Sequence, residues 1–143
     1  MRTPDEERAV YDRRVGWLAS AGGLLGLTGV AAGAFGAHAL KASLAPDRLA
    51  VFETAVRYQL MHALALFACA WVLQTWPCRT AFAAGSCFIA GTVLFSGSLY
   101  GLVLFGAPAL GAVTPIGGAG FLAGWILLVI AVMGSRKWGE TLR

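Results

Sequence analysis

The chain has 143 residues, of which 58% are hydrophobic and 13% charged, with a mean hydropathy of +0.71. That balance leaves too little polar surface to coat a water-soluble domain, so the composition selects a membrane chain. A net charge of +4 is compatible with nucleic acid, but the basic residues stand at the ends of apolar runs and no binding motif accompanies them. No nucleic-acid partner is therefore expected.

Met1 to Arg14 is polar, with Asp5, Glu6, Glu7 and Asp12 set against Arg2, Arg8, Arg13 and Arg14. It reads as a short solvated helix or a frayed N-terminal extension, residues 1–14. A first span follows over about residues 15–37. Basic residues ahead of an apolar core imitate a signal peptide, but the run is longer than the usual signal core and is read as a retained span. Gly22, Gly26, Gly29, Gly33 and Gly36 recur at spacings of three and four. They define a stripe where a neighbouring backbone can approach, inside the bundle or between copies.

After the polar connection from His38 to Arg48, the stretch Ala45 to Trp76 reads as one long second helix with Pro46 in its first turn. Its length is roughly 45 Å against a hydrocarbon thickness of about 30 Å, which places the membrane part at about residues 56–76. Glu53 and Arg57 are four apart with the acid first, the favourable order for an ion pair. Tyr58, Gln59 and His62 group on another side of the same helix.

A third span covers about residues 81–106 and carries Ser96, Ser98 and Tyr100 toward its far end. A charge-free turn with Pro108, Gly111 and Pro115 leads to a fourth span over about residues 116–134. Arg136, Lys137, Trp138 and Arg143 form a basic, aromatic-flanked exit. The expected architecture is all-α: a single polytopic domain, a four-helix transmembrane bundle with an extended second helix. No fixed-period repeat is visible.

With four spans the termini share a side. That side collects eight of the eleven basic residues, so the positive-inside rule makes both termini cytoplasmic. The same threading brings His38, the Glu53 to His62 segment, Ser96 to Tyr100 and Thr114 to the outer side. His38, Glu53, Arg57, Tyr58, Gln59, His62, Ser96, Ser98 and Tyr100 are the candidate ligand-binding residues.

Several strings carry a resemblance: Gly33 to Leu40 (GAFGAHAL), Phe52 to Leu64 (FETAVRYQLMHAL), Gly91 to Tyr100 (GTVLFSGSLY) and Thr114 to Gly118 (TPIGG). In this order they resemble the YgdD-like bacterial inner-membrane family, domain of unknown function 423, which is related to eukaryotic transmembrane protein 256. The resemblance covers about Val15 to Met133 and implies a small multi-pass protein of the bacterial inner membrane. It brings no established reaction, substrate or catalytic residue, and it does not reach the extension Met1 to Arg14.

Two functional classes follow. Ionisable groups at membrane depth can line a small cavity, bounded by His38, Tyr58, His62 and Tyr100, for a polar ligand, lipid headgroup, quinone or proton path. Alternatively the chain is a non-catalytic structural or interaction subunit, using its Gly-rich helix faces against a second copy or a membrane complex. On either reading, polar side chains can hydrogen-bond between helices, with Glu53 and Arg57 satisfying each other. Membrane lipids are partners in both classes.

No cofactor is expected. The two histidines have no evident third ligand for a metal or haem, and Cys69, Cys78 and Cys87 lack a metal or redox spacing and read as packing residues. No G-x-S-x-G elbow supports a serine hydrolase, so no catalytic residue is assigned.

Overall fold

The first helix starts at a capping box. The Glu6 amide donates to Thr3 Oγ1 at 3.3 Å while the Thr3 amide donates to the Glu6 carboxylate at 2.8 Å, so two otherwise unpaired backbone donors are satisfied. From there α1 runs without interruption over Pro4–His38. The polar extension is thus the first part of the membrane helix itself, and at 35 residues α1 is longer than α2. The computed structural model describes residues 3–141, without the side chains of Pro4 and of Ser135 onward. Met1, Arg2 and the basic exit Arg136, Lys137, Trp138 and Arg143 lie outside the described residues or side chains.

A single 3-10 turn, Leu40–Ala42, leads to α2, Pro46–Thr75, which has Pro46 in its first turn. The short link through Pro77 gives α3, Arg79–Phe105. Its end is set by Gly106, whose φ of 63° is the left-handed conformation that terminates helices at low cost only in glycine. Arg48, from the start of α2, donates to the Val103 carbonyl in the last turn of α3, where a carbonyl has no intrahelical donor and a cation complements the helix dipole. A second 3-10 turn, Pro108–Ala112, precedes α4, Thr114–Thr141.

All four helices are long and apolar enough to cross a membrane. They pack in chain order: α1 against α2, α2 against α3, and α3 against α4. Among the described residues α1 and α4 do not meet. Consequently α2 and α3 form the centre, and α1 and α4 each expose a broad apolar face, including Leu24, Leu27 and Val30 on α1 and Leu122, Ile126 and Ile130 on α4. The larger core surrounds Leu18, Leu66, Leu73 and Phe88, toward the termini. A smaller one surrounds Phe52, Val56 and Val103 near the other end.

The glycine stripe on α1 is real but shifted. Gly22, Gly29, Gly33 and Gly36 lie against Ala63, Leu60, Val56 and Phe52 of α2, whereas Gly26 has nothing within 4 Å of a Cβ position. Gly22 and Gly26 therefore do not share one contact surface: the α2 ridge follows the 22, 29, 33, 36 line, and at about 100° per residue Gly26 stands at its edge. The tightest approach is between α3 and α4. A Cβ on Gly117 would collide with the Phe95 backbone, lying 2.8 Å from its Cα, and Gly91 on the facing helix is in turn filled by the Phe121 ring. Backbone cannot move aside as a side chain can. Gly117→Ala is expected to lower stability by about 1–3 kcal/mol in thermal or denaturant unfolding in detergent, while Gly23→Ala, with open space around it, leaves the midpoint unchanged or slightly higher.

Candidate functional site

The sequence-selected polar residues fall into separate groups, and the most connected is centred on Gln59. This side chain, 5% exposed on α2, uses both amide hydrogens toward α1: one to the Leu25 carbonyl at 2.9 Å, the other to Thr28 Oγ1 at 2.8 Å. Its carbonyl oxygen accepts the Tyr100 hydroxyl of α3 at 2.9 Å. Thr28 in turn donates to the Leu24 carbonyl at 2.9 Å. The neighbours fix the amide orientation, because only the nitrogen can donate to the Leu25 carbonyl. One glutamine thus joins three helices with its hydrogen-bonding groups directed into protein, as burial in lipid demands.

Ser96 and Ser98 are spent in the same way. Ser96 Oγ donates across to the Ala55 carbonyl of α2 at 2.9 Å. Ser98 Oγ donates to the Phe95 carbonyl at 2.9 Å and stands 2.8 Å from Thr114 Oγ1, linking α3 to the start of α4. Neither hydroxyl is oriented as a nucleophile with a base beside it.

His62 belongs to a second group on another face of α2. Its Nδ1 lies 2.7 Å from the Tyr58 carbonyl, which can only accept, so Nδ1 carries the proton and Nε2 presents a bare lone pair. The ring stacks on Phe121 at a centroid distance of 3.6 Å and 6° between planes, with Phe88 at 5.3 Å and Trp125 at 6.2 Å. At 2% exposure Nε2 has no hydrogen-bond partner among the described residues. An acceptor so enclosed costs about 1–3 kcal/mol relative to a paired one. Tyr58 lies at the rim of this box, its ring 4.6 Å from that of Phe95 and 37% of the residue exposed.

The expected cavity between His38, Tyr58, His62 and Tyr100 does not form. His38 is exposed at the end of α1, beyond the level where Gly36 meets Phe52, whereas His62 lies between the levels of Gly22 and Gly29. The two imidazoles are separated by roughly 15 Å of helix rise. The contact of Gln59 with Leu25 and Thr28 also sets this tie beside the middle of the first apolar run, deeper than the outer surface where the sequence places the cluster. Glu53 and Arg57 are both exposed and, among the described residues, form no salt bridge with each other. The four-residue spacing permits a pair, but exposed charges lose side-chain entropy on pairing and gain little, so the groups stay apart.

What the helices do leave open is a groove. On the terminal side α1 touches α3, with Leu18 filling the space over Gly85 and the Arg14 guanidinium 4.7 Å from the Phe82 ring centre. Toward the other side they diverge over the surface of α2, and the gap of about 440 Å³ is lined by Leu25, Thr28, Ala32 and Phe35 of α1, Phe52 and Gln59 of α2, and Thr92, Ser96, Gly97, Tyr100 and Leu104 of α3. It opens sideways at the level of the membrane spans. A second hollow, about 490 Å³, sits at the opposite end between the polar start of α1 (Glu7, Arg8, Tyr11, Asp12) and the end of α2 (Leu73, Gln74) with Pro77.

Sequence reasoning named Gln59 and Tyr100 but missed Thr28 and the aromatic box. Thr28 and Ser20 are the hydroxyl-bearing side chains within the first apolar run, but Thr28 stands about 100° round the helix from the stripe glycine that follows it, so spacing does not mark its bond to Gln59. The box was legible as Phe88 and Phe95, seven apart, opposite Phe121 and Trp125, four apart.

Residues 32–118 match the family described as Protein of unknown function (DUF423). The chain is 40% identical to the UPF0382 inner membrane protein YgdD of Escherichia coli strain K12, over 77% of this chain and 84% of that one. It is 41% identical to the UPF0382 membrane protein YwdK of Bacillus subtilis, over 78% and 92%. With the UPF0382 membrane protein SAB0533 of Staphylococcus aureus the identity is 44%, over 77% and 89%. These names state a membrane location and no activity. No solved structure matches the chain.

Because each amide hydrogen of Gln59 has a partner across a helix interface, Gln59→Leu is expected to cost roughly 1–3 kcal/mol in unfolding measured in bicelles. Arg57→Ala, by contrast, is expected to shift stability by less than about 0.5 kcal/mol in the same assay, since it removes no pair.

Proposed function

The chain belongs to the DUF423 family of membrane proteins, and from its membrane-level groove we propose that it is a non-catalytic binding protein for a molecule with one apolar chain. The single observation that carries this reading is the lateral opening between α1 and α3. Its volume of about 440 Å³ falls within the ordinary range of small-molecule sites, about 300–1,000 Å³. Its polar side chains are bonded to the protein, so the wall presented to an entering molecule is largely hydrocarbon. A bilayer supplies apolar chains at that depth, and a chain entering from the side crosses no polar layer.

Orientation follows from charge. Eight basic residues on the terminal side support cytoplasmic termini, and on that reading the groove lies in the outer half of the inner membrane. A second reading, an interaction subunit, is favoured by the outward face of α1. There Gly16 and Gly23 have nothing within 4 Å and Leu24, Leu27 and Val30 are exposed, a surface on which another helix or a second copy could lie.

Gly97 provides the test, because it lines the groove yet a Cβ there meets nothing within 4 Å. Gly97→Phe fills the groove without straining the core. Mass spectrometry after mild extraction is expected to show chain-bearing molecules copurifying with the wild type and lost from Gly97→Phe, while Gly23→Phe, outside the groove, retains them. Equal content in the wild type and Gly97→Phe refutes the groove reading. A mass twice or more that of one chain, lost in Gly23→Phe alone, moves the assignment to the interaction subunit.

A further inference from the structure

The groove has a hydrogen-bonding polarity that its composition does not reveal. Gln59 spends both amide hydrogens on Leu25 and Thr28. The hydroxyl hydrogens are committed too: Thr28 to the Leu24 carbonyl, Tyr100 to Gln59 Oε1, Ser96 to the Ala55 carbonyl, and Thr92 to the Phe88 carbonyl at 2.8 Å. Among the described residues, then, no side-chain donor lining the groove is free. Acceptor capacity is free: Tyr100 Oη accepts nothing, and Gln59 Oε1 receives one bond where it has two lone pairs. Of the nearby cations, Arg48 donates to Val103 at the end of α3, and none of Arg48, Arg57 and Lys41 lines the groove.

Resting on the groove reading, we propose that the occupant is a neutral single-chain lipid with a hydroxyl head, a long-chain alcohol, whose O–H donates to the Tyr100–Gln59 pair while its chain lies against Leu25, Ala32 and Leu104. The structure of the floor discriminates by sign. A hydroxyl brings the donor that the floor lacks. A carbonyl or ether oxygen brings a further acceptor and leaves lone pairs facing lone pairs, and a carboxylate adds a charge with no cation among the lining residues to meet it. One chain, not two, matches the volume of about 440 Å³.

The experiment uses the full chain in lipid nanodiscs and a long-chain alcohol carrying a diazirine on its tail as photocrosslinker. Hexadecanol, hexadecyl methyl ether and palmitate are the unlabelled competitors. Hexadecanol is expected to compete about threefold to twentyfold better than the ether, the range that one membrane hydrogen bond supplies. Palmitate is expected to compete no better than the ether, and Gly97→Phe is expected to abolish crosslinking. Equal competition by alcohol and ether, with crosslinking still lost in Gly97→Phe, overturns the hydroxyl assignment and leaves the groove standing; preference for palmitate does the same. Undiminished crosslinking in Gly97→Phe overturns the groove itself and the hydroxyl assignment with it.

Discussion

A glutamine amide in hydrocarbon has nowhere to turn but to protein, and that constraint organises this molecule. In water Gln59 would exchange its partners for solvent at little cost; in a bilayer an unpaired amide group costs several kcal/mol. The three bonds of Gln59 therefore act as a registration device, fixing which turn of α1 lies opposite which turn of α3. The glycine line from Gly29 to Gly36 brings α1 close enough for those bonds to form, with Gln59 Nε2 only 3.3 Å from where a Gly29 Cβ would stand. Close packing and hydrogen bonding support each other at this interface. Neither is strong alone, at about 0.6 kcal/mol for an average interhelical hydrogen bond in a membrane.

The same register creates the groove. Leu18 wedges against Gly85 on the terminal side and holds α1 to α3 there. Further along, α1 stays on α2 and follows it away from α3, so the gap opens over Gln59 and Ser96. The polar groups are in this way shielded by the bonds they make, and the surface left to the bilayer is apolar with acceptors at its floor. His62 has a different fate. It is buried among Phe88, Phe121 and Trp125, and its Nε2 has no donor among the described residues, so the α2–α4 contact carries a polar cost that the Gln59 region does not.

The helices were legible because membrane spans announce themselves by length and hydropathy, and Pro46, Pro77 and Pro115 punctuate them. Partnerships were less legible, for reasons that differ from residue to residue. Gln59 and Tyr100 share a side of the membrane in the sequence, but their bond depends on a long phenol side chain reaching along α3, which spacing does not encode. Glu53 and Arg57 satisfy a local spacing rule that holds for isolated helices, and exposure overrides it. His38 and His62 share a side and not a depth, since the connection after α1 places His38 at the end of its helix while α2 carries His62 well inward. The apparent single cluster was a consequence of sorting residues by side alone.

The bundle and its groove both depend on the Gln59 amide being dry and bonded to α1 and α3 while lipid chains occupy the space beside it. Solid-state NMR of the protein in bilayers, with the Gln59 side-chain nitrogen labelled, tests this directly. Expected are through-space contacts from that nitrogen to the Leu25 carbonyl and the Thr28 side chain, slow polarisation transfer from water, and lipid-chain protons close to Gly97. Rapid transfer from water to the Gln59 amide, with the contact to Leu25 missing, would contradict this arrangement.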